Sequence, residues 1–290
     1  MIIKKEATND VIARRFCTGF SELDKLMRIA AGNVIVIAAR PSMGKSTLSL
    51  NILTNIAKCR EGEAVFFSAE MPSDQVMDRL ASAEADIDLT SIRKGDLSTD
   101  DWARMQRFIS EEKNIPLTIV GNSNLNISEM RTQLNRIKRE TGDKLSAIGI
   151  DYLQLMEGVS GQYKADNVST IIRTLKALGH EFGCPVFLLS QLSRDVEKRP
   201  NKRPIMSDLR DSGTIEQDAD IIAMVYRNDY YEQKEKGGSA KLDGMADIII
   251  LKNTNGPTGT ARLGFEGKYA RFTNYMPATY GLDEVPSHEG

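Results

Sequence analysis

Short runs of β-branched and apolar residues recur along the chain at 34–39, 64–67, 117–120, 147–150, 186–189, 221–226 and 248–251, and helix-length segments separate most of them. Their apolar character is continuous rather than alternating. Strands of that kind are buried on both faces, the pattern of a parallel sheet covered by helices. The intervening segments agree: Leu48, Ile52, Leu53, Ile56 and Ala57 keep helical spacing, as do Met130, Leu134 and Ile137 behind Ser128, the expected N-cap. The predicted fold is therefore α/β, with a mostly parallel central sheet flanked by helices. After Tyr226 the rhythm changes, and 260–265 and 269–273, joined through Glu266-Gly267-Lys268, predict an antiparallel hairpin at one edge.

A chain of 290 residues has room for one large α/β domain. Residues 1–14 mix polar and apolar types without a strand pattern and read as a linker, while 277–290, with Pro277, Pro286 and several acidic groups, read as a mobile tail. The 38 basic and 40 acidic side chains leave a formal charge of −2, so no global field draws the chain to nucleic acid or to an anionic membrane. A polyanion must be met by a local patch. No apolar run approaches the ~18 residues that suggest a membrane span. Met1-Ile2-Ile3-Lys4-Lys5 also lacks the apolar stretch of a signal peptide, so a cytoplasmic location away from membranes is expected. Cys17, Cys59 and Cys184 are widely spaced, and His180 near Cys184 has no further ligand beside it, so neither zinc nor thiol chemistry is expected.

The run at 34–39 leads directly into Ala39-Arg40-Pro41-Ser42-Met43-Gly44-Lys45-Ser46 and then a helix. This is the arrangement of a phosphate loop. Backbone N–H groups and the positive helix end hold the phosphates, Lys45 reaches the β and γ groups, and the Ser46 hydroxyl coordinates Mg²⁺. Ala39 stands where the pattern G-x-x-x-x-G-K-[ST] begins with glycine. The candidate nucleotide contacts are Arg40, Pro41, Ser42, Met43, Gly44, Lys45, Ser46 and Thr47. Glu70 follows the 64–67 run, Asp151 ends 147–150, and Gln191 follows 186–189. In an open parallel sheet, ligands lie outside the carboxyl ends of the strands, so these side chains are expected to converge with Lys45. Asp151 suits the metal alongside Ser46, Glu70 the proton of an attacking water, and Gln191 the γ-phosphate. Taken singly, each is equally consistent with a polar residue that caps a loop.

Residues 194–203 set Arg194, Lys198, Arg199, Lys202 and Arg203 against Asp195 and Glu197, a local basic surplus in a neutral chain. A solvated charged loop is the default for such a stretch. Its place just after Gln191 also suits phosphate-backbone contacts that change with nucleotide state. Aromatic residues are absent there, so base stacking is not its mode. The loop at 158–167 stands out as well.

Several longer motifs accompany these residues: Thr18-Gly19-Phe20-Ser21-Glu22-Leu23-Asp24, Ala38-Ala39-Arg40-Pro41-Ser42-Met43-Gly44-Lys45-Ser46, Ser68-Ala69-Glu70-Met71-Pro72 and Ile150-Asp151-Tyr152-Leu153-Gln154. Leu189-Ser190-Gln191-Leu192-Ser193-Arg194, Asp208-Leu209-Arg210-Asp211-Ser212-Gly213 and Glu216-Gln217-Asp218-Ala219-Asp220 complete the set. Together, from residue 18 to about 273, they resemble the C-terminal motor domain of the DnaB-type replicative helicases. In that family Ala39 is the expected residue.

The resemblance implies a RecA-like P-loop NTPase fold, with a motor domain at 15–276 between the linker and the tail. It implies a homo-hexameric ring that moves 5′ to 3′ on single-stranded DNA and unwinds duplex, hydrolysing ATP with Mg²⁺ at subunit interfaces. A helicase loader and primase are the implied partners. Arg210, Asp211 and Gly213 are then expected on a channel-facing loop against the DNA backbone, with Arg194, Arg199, Lys202 and Arg203 helping to line the pore. Lys252-Asn253-Thr254-Asn255-Gly256-Pro257 resembles the segment that carries a lysine and an arginine into the neighbouring subunit's site. Lys252 matches, as a nucleotide contact in trans, and Thr254 stands in the arginine position, where an arginine is worth orders of magnitude in rate. In the family a large N-terminal domain precedes the linker, close to where this sequence starts. A second reading stays open: a RecA-like, ATP-dependent protein that binds or loads on single-stranded DNA without unwinding, favoured by Thr254 and opposed by Glu70 and Gln191.

Overall fold

Each apolar run forms a strand in the computed structural model: β1 (Val34–Ala39), β2 (Glu63–Ser68), β3 (Leu117–Gly121), β4 (Leu145–Asp151), β5 (Val186–Gln191), β6 (Ile221–Tyr226) and β7 (Met245–Asn253). The hairpin strands β8 (Gly259–Glu266) and β9 (Arg271–Asn274) follow. The described residues are 16–275 without 61, 112–114, 122–125, 143, 152, 154–163, 211 and 236–242. The expected linker 1–14, the tail 277–290, the 158–163 part of the second loop, Tyr152, Gln154 and Asp211 lie outside them.

One nine-stranded sheet runs in the order β3-β2-β4-β5-β1-β6-β7-β8-β9. The first six of these strands pair in parallel and the last three add on antiparallel, as the change of rhythm after Tyr226 predicts. The described helices are α1 (Ser21–Leu26), α2 (Lys45–Arg60), α3 (Ser73–Ala85), α4 (Leu89–Lys94), α5 (Thr99–Glu111), α6 (Ile127–Glu140), α7 (Lys164–Phe182), α8 (Ser212–Asp218) and α9 (Asn228–Glu235). β1 is buried along its whole length, so both of its faces are covered, and α2 and α7 both lie against it. Leu48, Ile52, Leu53, Ile56 and Ala57 of α2 are buried as their spacing predicts. Each large aliphatic side chain of that set contributes about 1.5–3 kcal/mol to holding the helix on the sheet. At the amino end of β1, the Asp220 carboxylate accepts from Val34 N–H at 2.9 Å and from Lys176 at 2.6 Å, which ties the start of β6 to β1. None of the described helices is long and apolar enough to cross a membrane.

Two local expectations are corrected. The N-cap of α6 is Asn126, whose side chain accepts from Ser128 N–H at 2.8 Å, so Ser128 lies inside the first turn. Both are good capping residues, and the extended backbone at Asn126 decides between them. The last strand starts at Arg271 rather than Tyr269, because Gly267–Tyr269 is a 3-10 turn and Ala270 adopts a left-handed φ of 46°. That turn folds the hairpin back over the helices. Phe272 N–H donates to Asn51 Oδ1 of α2 at 2.9 Å, and Arg271 donates to the Ala83 carbonyl of α3 at 3.2 Å.

Candidate active site

The loop between β1 and α2 must reverse direction within a few residues, and two of them sit in the left-handed region: Ser42 at φ 68° and Gly44 at φ 95°. Turns of this kind aim successive backbone N–H groups into one concavity, which favours an anion. A Cβ on Gly44 would lie 2.9 Å from Phe272 and 3.1 Å from Phe265, so only glycine fits there. The hairpin therefore backs the phosphate loop, a role that its position at the sheet edge did not suggest.

Lys45, the first residue of α2, is 12% exposed and donates to Asp151 Oδ1 at 2.9 Å and, more weakly, to Glu70 Oε2 at 3.4 Å. The Ser46 hydroxyl donates to Asp151 Oδ2 at 2.5 Å. Asp151 ends β4 with no exposure, so its charge is supported by these two donors, whereas Glu70, beyond β2, is 51% exposed and open to water. Gln191 ends β5 in register with Ala39 of β1. Apart from Met43, the loop residues from Ala39 to Thr47 line one cleft of about 430 Å³ together with Glu70 and Gln191. The convergence expected at the strand ends is the one found.

Two loop residues are placed differently from a simple phosphate contact. The Met43 side chain is buried in the core, which leaves its backbone for a ligand. Arg40 borders the cleft, but its guanidinium donates to the Leu192 carbonyl at 2.9 Å and to Glu197 at 2.9 and 3.1 Å, anchoring the segment after β5. Ser46 and Asp151 present a hydroxyl and a carboxylate side by side, the hard oxygen donors that suit Mg²⁺.

The same cleft also takes Gln75, Arg79 and Arg93, which the sequence reading does not single out. Arg79 Nε is buried without a hydrogen-bond partner among the described residues. Burial and the nearby Arg93 push its guanidinium below the ordinary range, against the pull of Asp151 and Glu70. A signal was available: Arg79 lies between Val76 and Ala83 on the buried side of α3, where a cation needs a reason to be.

Lys252 lies at the other end of the sheet. It pairs with Ile222 at the start of β6, while the phosphate loop follows the carboxyl end of β1. Its ammonium donates to the Glu216 and Gln217 carbonyls at the end of α8. Thr254 donates twice to the Asp220 carbonyl, through N–H at 2.9 Å and Oγ1 at 3.0 Å.

Three of the basic residues expected at a polyanion are engaged within the chain. Arg199 grips Asp208 through two bonds of 2.9 and 2.7 Å, Lys202 pairs with Glu235, and Arg203 meets Asp247 at 2.5 Å. Their carboxylate partners lie outside the 194–203 stretch, so the local surplus is largely neutralised in space. Arg194 and Arg210 are exposed, and Gly213 is open, with nothing within 4 Å of a Cβ built there. These three face solvent.

A family model described as DnaB-like helicase C terminal domain matches residues 16–274. The replicative DNA helicase DnaB of Geobacillus stearothermophilus is 42% identical over 261 residues, covering 89% of this chain and 56% of that protein. The chain thus spans little more than half the length of that relative. Among solved structures, one described as an ATPase domain superposes with a TM-score of 0.81 at 34% identity, over 90% of this chain and 91% of that one. A DnaB-like replicative helicase, described with its interactions with primase, gives 0.79 at 33% identity, over 90% of this chain and 63% of that one.

Proposed function

The chain belongs to the DnaB-like helicase C-terminal domain family, and on that premise we propose that it is an ATP-driven motor that translocates 5′ to 3′ on single-stranded DNA and unwinds duplex. The observation that carries this reading is the joining of Lys45, Ser46, Asp151 and Glu70 at one cleft mouth. Lys45 meets the β- and γ-phosphates and exchanges its present carboxylate partners for them. Ser46 and Asp151 would hold Mg²⁺, which would supply charge neutralisation at the phosphates. Glu70, exposed to water, takes the proton of the attacking molecule, and Gln191 senses the γ-phosphate. Arg79 adds a further cation to the same cleft. Contact with the DNA backbone falls to Arg194, Arg210 and Gly213, with Asp211 in the same loop, while Arg199, Lys202 and Arg203 act mainly by holding the loop's shape.

The ring is a homo-hexamer in this reading, and Lys252 serves the neighbouring subunit. Residues 15–276 are its motor domain, and primase and a loader are its partners. Thr254 at the arginine position favours a second reading, an ATP-dependent protein that binds or loads on single-stranded DNA without unwinding it. One assay series separates the two: ATP hydrolysis with and without single-stranded DNA, then strand displacement on a forked duplex with a 5′ tail. Stimulation with displacement is expected. Stimulation alone selects the binder. Lys45→Ala and Glu70→Ala are both expected to abolish displacement, with nucleotide binding retained in Glu70→Ala. Displacement that survives either substitution would refute the assigned roles.

A further inference from the structure

The helix α8 connects the two places where this chain is read as touching something else. It begins at Ser212, beside Gly213 and the exposed Arg210, and ends at Asp218. Glu216 and Gln217 belong to its last turn, where backbone carbonyls have no partner further along the helix. Lys252 Nζ donates to both, to Gln217 at 3.2 Å. A cation there also gains from the helix dipole.

Asp218, the last residue of α8, is tied to α7. Ser169 Oγ donates to it at 2.5 Å and Arg173 Nε at 3.0 Å. Burial alone would raise the Asp218 carboxyl, but Ser169 and Arg173, with Lys252 beyond them, hold it below the ordinary carboxylate range. α7 in turn packs on β1 and β5, the strands that lead into the phosphate loop and Gln191. The Asp218 carboxylate thus fixes the carbonyl end of α8 to the rigid part of the domain, beside the buried Ile215 and the Asp220–Lys176 bond.

We infer that Asp218 is a positioning residue for Lys252: pinned to α7, it fixes the helix end from which Lys252 is presented to the neighbouring subunit's nucleotide. The loop at the start of α8 then reaches Lys252 through a single short helix, so DNA contact and the trans-acting cation share one rigid part. This rests on the reading of Lys252 given under the proposed function.

Two measurements on the full chain test it. The first needs neither ATP nor DNA: acetylation of Lys252 by an N-hydroxysuccinimide ester, followed by mass spectrometry. Asp218→Asn and the milder Ser169→Ala are each expected to speed acetylation at least about threefold, the scale of one lost hydrogen bond. Equal rates in all three chains would overturn the inference. The second is a double-mutant cycle of DNA-stimulated hydrolysis with Asp218→Asn and Lys252→Ala. Asp218→Asn is expected to lower kcat about three- to tenfold with KM for ATP unchanged, and to cost nothing more once Lys252 is gone. Additive losses or a raised KM would reduce Asp218 to a structural role. If the unaltered chain shows no DNA-stimulated hydrolysis, the motor reading fails while the acetylation rates still decide the seating of Lys252.

Discussion

Gly44 and Cys184 show how far single positions are dictated by their surroundings. At Gly44 both constraints act together, a left-handed backbone and aromatic rings against the missing Cβ. Gly44→Ala is expected to cost about 1–3 kcal/mol of stability and to abolish nucleotide binding. Thermal melts with and without ATP and Mg²⁺ check both parts, and a ligand-induced rise in Tm would contradict the second. Cys184 is buried, and that burial pushes its thiol up to about 12. In the unfolded chain the thiol ionises near its ordinary value of 9.0, so between that value and about 12 the folded state binds the extra proton. Stability is therefore lost as pH rises above 9, by up to about 1.4 kcal/mol per pH unit from this group. Urea titrations at pH 8 and 10.5 should show the decline, lessened in Cys184→Ala. At pH 8 a thiol reagent should label the exposed Cys17 and Cys59 in the folded chain, and Cys184 only after unfolding.

At the scale of elements, α6 offers a direct contest between sequence and structure. Asn126→Ala should destabilise the chain by about 1 kcal/mol through loss of the cap, and Ser128→Ala should be close to neutral. Chemical denaturation that reversed this order would restore Ser128 as the cap. The strands themselves are legible because continuous apolar runs have few other ways to be buried, and Glu70, Asp151 and Gln191 are site candidates because they stand at the carboxyl ends of those runs. What escaped depends on contacts between distant segments. The return of β9 onto Asn51, the neutralisation of Arg203 by Asp247 and the entry of Arg79 into the cleft join residues that no local pattern connects. Thr254 belongs to the same group. Its side chain caps the Asp220 carbonyl from an exposed position, so Thr254→Arg loses one hydrogen bond and restores the cation that the resemblance implies. DNA-stimulated turnover is expected to rise, and unchanged turnover in an assembled ring would show that the missing arginine is not limiting.

The molecule as a whole carries its two functional edges apart. Lys252 is opposite Ile222 and so level with Val36, and from Val36 to Ala39, at the phosphate loop, the sheet extends roughly 10 Å. A single copy cannot bring Lys252 to its own cleft without breaking the β6–β7 pairing. Head-to-tail contact between copies can, because such an interface sets one end of a protomer against the other end of the next, and a closing rotation makes a ring. Complementation between two defective chains tests this arrangement directly. Lys45→Ala removes the phosphate ligand but keeps Lys252, and Lys252→Ala does the reverse. Each alone should hydrolyse ATP poorly. In rings assembled from an equal mixture, about a quarter of the interfaces join an intact Lys45 to an intact Lys252, so activity should recover toward about a quarter of the unaltered level. Activity in the mixture no higher than the mean of the two separate chains would mean that Lys252 does not act across an interface. Recovery would establish that the cleft is completed only by the next copy.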